Sequence, residues 1–384
     1  MPEQQLNDPV ASAFYARTDP ICVAGLRDSL NAASNVYDRQ LMDKRWRQTY
    51  EFYPTEDLTS TAICLIGISR AGIAPNTLAL DPARTLGAMY DLAKQRAYPG
   101  GFGLVVWANA VWNGVDIAQL QQRCGVDLGD LAQWLSSLTT MEVAWLVSGL
   151  AHEWLCREHV QTRAWLDTAL EELLERRYQP KTAIMAHAGE AATFVHGLRR
   201  WIANFADQIY SIQAFAFVHL MLGHPRALAA AEAVAAKMVA YQGGKGQWWW
   251  HYDAKRGGVP QPYSVYSVHQ HGMAPMALRA LSAAGGSRHE AAIVASRNWM
   301  DENELGVSLI DATQPTLWRS VEYDDNRVES AVRKVSSLLG LAGDQSTQPA
   351  AALRLNCETR PYEWAWCVYA GAIEREYERG LHLV

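Results

Sequence analysis

The chain has 384 residues, 49% of them hydrophobic, and a formal net charge of −6. That length supports a large core, and the charge balance lacks the clustered Lys and Arg of a nucleic-acid surface. No apolar run approaches the roughly 18 residues of a membrane span, and Met1–Asp8 carries no basic or apolar leader pattern.

Helical periodicity dominates, and alternating strand-like runs are scarce. In chain order, the pattern predicts helices over 20–43, 60–71, 82–94, 139–158, 161–177 and 205–222. It continues with 225–241, 268–284, 288–303, 320–339 and 362–377. Segments 100–114 and 184–197 are ambiguous, and 342–348 reads as a short linker between helices. No composition shift divides the chain, so one domain over 1–384 is expected. Glu374, Arg375, Glu376, Glu378 and Arg379 read as a solvated helix end. Cys22, Cys64, Cys124, Cys156, Cys357 and Cys367 form no C-x-x-C pair, which points to reduced thiols, a cytoplasmic protein and no structural zinc.

Similar helix openings recur along the chain: a polar start, then small and apolar residues. They are Thr59–Leu65, Thr139–Leu146, Asp207–Ala214, Ser267–Ala274 and Arg360–Trp366. Each step leaves room for two helices and a loop. The helix through Ile209–Leu220 is apolar all round and must be enclosed by other helices. The neighbouring 225–241 is amphipathic, with Lys237 on an Ala-rich surface. Buried helices alternating with amphipathic ones imply an all-α fold, an α/α toroid of about six hairpins. The competing arrangement is an irregular helical bundle.

The run from Gln242 through Gly246 to Trp248 resembles the Gln-x-x-x-Gly-x-Trp turn of terpenoid cyclases. Similar hairpin ends occur in toroidal polysaccharide lyases. Ser267–Leu281 is similar to inner helices of α/α-barrel sugar epimerases, which place histidines at the barrel mouth. These resemblances reach superfamily level: six-hairpin glycosidases, sugar epimerases and terpenoid cyclases. They cover a minor part of the chain and imply an architecture rather than one enzyme.

The chain holds 15 Trp, whose flat faces suit sugars and cations. The densest chemistry is Trp248-Trp249-Trp250-His251-Tyr252-Asp253, followed by Tyr263, Tyr266, His269, Gln270 and His271. Between them, Gly257, Gly258, Pro260 and Pro262 mark a rim loop. Ser267 is a good N-cap, which puts His269 and His271 in a first turn. Two residues apart is about 200° on an α-helix, so only one of them can face a central cavity. A histidine at a helix N-terminus is held neutral and can act as a base. His269 or His271 is therefore the candidate acid/base, with His251, Asp253 or Asp207 as partner. Equally, these histidines could merely bond the loop above them. Three consecutive Trp cannot share one face, so at least one belongs at a rim or wedged between helix ends.

Asp207, Gln208, Tyr210 and Gln213 put polar groups where a core should be apolar, as a cavity wall would require. Glu142 and Glu363 hold comparable places in their repeats. Paired carboxylates could act on a glycoside, although each could equally be a helix cap. Arg319, beside Trp318, is a candidate for holding an anion. Glu322-Tyr323-Asp324-Asp325 is similar to the acid motif of class II terpenoid cyclases, but its charged surroundings suit a solvated helix. His187, Glu190 and His196 match no metal-ligand spacing, so neither metal nor cofactor is expected. No phosphate loop follows Gly100–Gly103, and no nucleophile elbow is found.

Three functions fit these residues. The first is a carbohydrate-active enzyme (epimerase, lyase or hydrolase) using histidine acid/base chemistry on a small molecule or glycan. The second is a terpenoid-cyclase-like enzyme with an aromatic cavity. The third is a non-catalytic scaffold whose polar openings are caps. The sequence sets no oligomeric state.

Overall fold

The computed structural model describes residues 9–42, 51–96, 98–314, 316–325 and 352–379, with isolated positions between 329 and 336. The helices that build the fold are, in order, α1 (Pro9–Asp28), α2 (Leu58–Arg70), α3 (Pro82–Arg96), α4 (Phe102–Val111), α5 (Ile117–Cys124) and α6 (Thr140–Arg157). They continue with α7 (Val160–Glu171), α8 (Phe205–Leu222), α9 (Pro225–Ala240), α10 (Ala274–Ala283), α11 (Glu290–Glu302) and α12 (Pro361–Glu378).

The even-numbered helices close a ring: α2 packs on α4, α4 on α6, α6 on α8, α8 on α10, α10 on α12, and α12 on α2. The odd-numbered helices lie outside: α1 against α12, α3 against α2 and α4, α5 against α3, α7 against α6, and α9 against α8. Helix α11 packs on α10 and on the turn that opens it. This is an α/α toroid of six hairpins.

The sequence explains the sorting. Helix α8 is buried over nearly all of Phe205–Val218, so it needs neighbours on every side. Helix α9 buries only Ala227, Ala230, Ala231, Val234, Ala235 and Met238, one stripe of helical period. Polar caps set the starts: Asp57 accepts from the Ser60 N–H before α2, while Thr139 with Glu142 and Asn204 with Asp207 form capping boxes on α6 and α8. Helices α4 and α6 approach closely because Gly103 and Gly149 face each other's backbones, with no room for a Cβ.

The opening of α10 departs from α geometry. His269–Met273 forms a π turn, with Pro275 just after it. Proline has no N–H to offer the carbonyl four residues back. That carbonyl, on His271, instead accepts the Tyr15 hydroxyl at 2.8 Å.

The Gln/Gly/Trp turn is a clasp between outer helices. Gln242 Nε2 donates to Gly246 O at 3.1 Å and to Ala292 O at 2.9 Å, and Trp248 Nε1 donates to Ser296 Oγ at 2.8 Å. Gly246 takes φ +95° against the Ala295 backbone, a conformation and space that suit only glycine.

Two predicted helices are corrected. Over 20–43, the helix begins earlier, at Pro9, and stops at Asp28; Leu30–Asn31 and Val36–Met42 then form a hairpin. The Asn31 side chain accepts from the Ala33 and Ser34 N–H groups, and Asn35 sits at φ +57°, so turn chemistry overrides the helical period. Over 320–339, Ser320–Tyr323 is a strand, because Leu353–Asn356 and Val265–Tyr266 pair with its two edges. Glu322 there binds Arg354 and Asn356, so the acid-motif segment begins in a strand and is not a helix. Segment 100–114 contains helix α4; 184–197 holds the two-residue strand Ile184–Met185 and the start of a short helix, Phe194–Leu198. Glu374 is buried, not solvated. Met1–Asp8 and 342–348 lie outside the described residues. No described helix is long and apolar enough to cross a membrane.

Candidate active site

A cavity of about 280 Å³ opens where the inner helices begin. Four of those helices present residues four apart to it: Thr59 and Ile63, Met141 and Trp145, Ala206 and Tyr210, His269 and Met273. Such pairs share one helix face. Tyr362 adds the first turn of α12, and Trp250, Tyr266, Arg319 and Arg360 arrive from rim segments.

His269 sits in an aromatic sleeve. Its ring lies 4.4 Å from Phe205, 5.1 Å from Tyr266 and 6.1 Å from Trp250, nearly parallel to the last. Among the described residues, its buried Nδ1 has no hydrogen-bond partner. Burial, and then the positive charge of Arg319, push its pKa well below the ordinary histidine value. The imidazole is therefore neutral near pH 7, a base without a counter-ion.

Two arginines line the same cavity. Arg319 is fixed by its backbone, which donates to Glu358 O and accepts from the Ser267 N–H, both at 2.8 Å. Its guanidinium lies 4.8 Å from the Tyr266 ring centre, 2.7 Å from Glu363 Oε1 and 3.3 Å from the Tyr362 hydroxyl. Arg360 Nε binds Glu358 Oε1 at 2.6 Å. Burial raises the Glu363 carboxyl to about 7, although Arg319 and Arg360 oppose the shift. Among the described residues, no Asp or Glu lines the cavity.

The expected site residues separate into groups. Trp250, Tyr266, Tyr210, Arg319 and His269 line the cavity. Glu363 stands directly behind Arg319. The others are held elsewhere. Trp248 is fully buried against Phe205, and Trp249 donates to Tyr241 O at 2.6 Å. Trp318 is buried but does not line the cavity. The Tyr263 hydroxyl bonds Glu304 at 2.6 Å. The Gln270 amide bridges Gly246 O and the Trp248 N–H. His271 is fully buried beside Cys367, away from the cavity. His251 is held between Gln261 and Arg199. Asp253 caps a turn, accepting from the Lys255 and Arg256 N–H groups. Glu142 is absorbed by the α6 cap and by the Tyr98 hydroxyl. Asp207 lies one layer behind the wall and binds His187.

Sequence reasoning missed Arg360, Tyr362, Trp145, Met141 and Thr59. The signal was present: each lies in a recurring helix opening. Among the described residues, no cluster of three or more His, Cys, Asp or Glu is arranged to hold a metal.

No family model matches the sequence, and no curated protein does. Solved structures do match. A cellobiose 2-epimerase from Bacillus thermoamylovorans superposes with a TM-score of 0.62 at 9% identity, over 95% of this chain and 99% of that one. An unsaturated glucuronyl hydrolase specific for heparin gives 0.60 at 10% identity, over 98% and 99%. A sugar epimerase from a ruminal bacterium gives 0.60 at 9%, over 97% and 99%. The chain has their fold. Identities this low carry the six-hairpin toroid across and leave residue roles to the chain's own geometry.

Proposed function

We propose that the chain is a carbohydrate-active enzyme that moves a proton at a carbon of its substrate, as an epimerase or lyase does, with His269 as the base. One observation carries the reading: a neutral, buried imidazole and two arginines line one cavity, and among the described residues no carboxylate lines it. Removing a proton beside a carbonyl or carboxylate leaves negative charge on oxygen. Arg319 and Arg360 are placed to stabilise that charge, and Trp250 offers a flat face to a sugar ring.

Glycoside hydrolysis with paired carboxylates lacks its carboxylates here among the described wall residues. A carbocation would be repelled by Arg319 and Arg360, which weighs against a terpenoid-cyclase-like reaction. The shared fold supports the sugar reading, since two of the matched proteins are sugar epimerases and one acts on glucuronyl groups.

The test is proton exchange in D2O. The whole chain is incubated with a panel of reducing sugars, uronic acids and unsaturated uronides, and loss of carbon-bound protons is followed by NMR. Exchange with at least one sugar, abolished in His269→Gln, is expected. Glycoside hydrolysis that persists in His269→Gln, or no exchange across the panel, overturns the proposal.

A further inference from the structure

Behind the cavity wall, three side chains stand in line. Asp207 is fully buried in the first turn of α8. Its Oδ1 accepts the Met141 N–H at 3.1 Å and its Oδ2 accepts the Asn204 N–H at 2.8 Å. Met141 and Asn204 are themselves wall residues. Asp207 Oδ2 also lies 2.8 Å from Nδ1 of the buried His187, and His187 Nε2 lies 3.1 Å from Nδ1 of His196. His196 is half-buried on the short helix Phe194–Leu198. Three residues on, Arg199 bonds Asn204 Oδ1 at 2.6 Å, which ties this segment to the wall.

Donors and acceptors fix where the protons sit. Two main-chain N–H groups already donate to Asp207, as they would to a carboxylate. Its third contact is therefore also a donor, and His187 carries its proton on Nδ1. With one proton on each imidazole, His187 accepts at Nε2 and His196 donates from Nδ1. That leaves a lone pair on His196 Nε2. A proton arriving there puts positive charge in line with the Asp207 carboxylate, through the intervening imidazole.

We infer that His196 Nε2 is a second acid–base centre of this protein, held in its basic tautomer by His187 and Asp207, for a hydroxyl on the part of the substrate that projects beyond the cavity. In the step, the hydroxyl O–H bond breaks, its electron pair stays on oxygen, and an N–H bond forms at Nε2; the reverse step returns the proton. His187 and Asp207 are positioning residues. The role on a substrate rests on the cavity being an enzyme site; the tautomer and its reactivity do not. The charged groups facing His196 are His187, Glu142, Arg199 and Asp207. Burial and His187 lower its pKa, which keeps the ring unprotonated at neutral pH. A purely structural pin, tying the loop to α8, would fit the same distances but would leave His196 no more reactive than any exposed histidine.

The probe is diethyl pyrocarbonate, which acylates unprotonated imidazole nitrogens. It is applied to the whole chain across a pH series and read peptide by peptide by mass spectrometry. His196 is expected to react faster than His159, although His159 is exposed and His196 half-buried. Asp207→Asn and His187→Gln should each slow His196 by about tenfold. Asp207→Asn should also lower the midpoint of its pH–rate curve, and His187→Gln should raise it. Because Asp207 also caps α8, nitrogen NMR of the unaltered protein gives an independent reading: His196 should carry its proton on Nδ1. A His196 that reacts no faster than His159, that is indifferent to both substitutions, or that carries its proton on Nε2 overturns the inference. None of these readings depends on finding a sugar substrate.

Discussion

Two regions of the toroid bury arginines against carboxylates, and they do opposite things with them. Toward the C-terminal ends of the inner helices, Arg279 is saturated. Its Nε and Nη2 bind the two oxygens of Glu374 at 3.0 Å each, Nη2 also binds Glu290 at 2.7 Å, and the Tyr377 ring covers its face at 4.1 Å. At the mouth, Arg319 binds Glu363, Arg360 binds Glu358, and both arginines also line a cavity. The carboxyls differ in burial as well, Glu290 being partly exposed and Glu363 fully buried. Burial alone would raise Glu290, but its bonds to Arg279 outweigh burial and hold it below the ordinary value. Burial dominates at Glu363, which is raised to about 7. The first charge network ties helices together away from the cavity, whereas the second stands in the cavity wall.

The largest effect should come from breaking the complete network. Arg279→Met leaves Glu374 buried with its strongest partner gone. Losing one member of a buried pair costs about 3–5 kcal/mol. Urea unfolding should show that loss, while Arg319→Met, next to solvent-accessible space, should lose much less stability. If the two variants unfold alike, the contrast between the regions fails.

Turnover should reverse the order. His269→Gln should lower kcat by about 10²–10⁴-fold, the range for a general base, while leaving the urea midpoint nearly unchanged. Arg319→Met should lose activity comparably. An Arg279 variant that still folds should keep most of its activity. The measurement is proton exchange on whichever sugar the panel identifies.

The pH dependence of stability gives a smaller, signed test. Glu363 is raised in the folded state, so its contribution is fully present below its unfolded value. It is lost as pH rises from there through about 7. His269 is lowered, so its contribution is present above the unfolded histidine value and lost as pH falls below it. Glu363→Gln should remove the decline that runs up to about 7, worth on the order of 3 kcal/mol, and leave the acid-side decline of His269 in place. Unfolding free energies across that range check both signs.

The inner ring was legible where chemistry is local. Five openings announced helices α2, α6, α8, α10 and α12, because a polar cap followed by an all-apolar body has few other meanings. Helix α4 stayed ambiguous since Gly100, Gly101 and Gly103 read as breakers. Gly103 is there to let α4 meet α6, a reason visible only with both helices in place. The strand Ser320–Tyr323 was misread because its partners are distant in sequence. That strand follows Arg319 directly, so the best anion-binding candidate could be named but not placed. The one-of-two rule for His269 and His271 anticipated that the rings would part, but it assumed an α-helix; a π turn does the parting. The Trp triplet was legible only as a constraint: Trp248 and Trp249 went to the clasp, and Trp250 went to the wall.

That last division supplies the smallest and most discriminating prediction. Trp248 and Trp250 are two residues apart, yet one is a packing residue and the other a cavity residue. Trp248→Phe should cost about 1–2 kcal/mol, from lost volume and the lost bond to Ser296, with KM unchanged. Trp250→Phe keeps an aromatic face but shortens it, so KM should rise a few-fold at unaltered kcat and stability. Loss of sugar contact before and within the transition state alike is uniform binding, and it shows in KM alone. A fall in kcat for Trp250→Phe would instead mean that the indole orients His269, 6.1 Å away and nearly parallel, and does not hold the sugar.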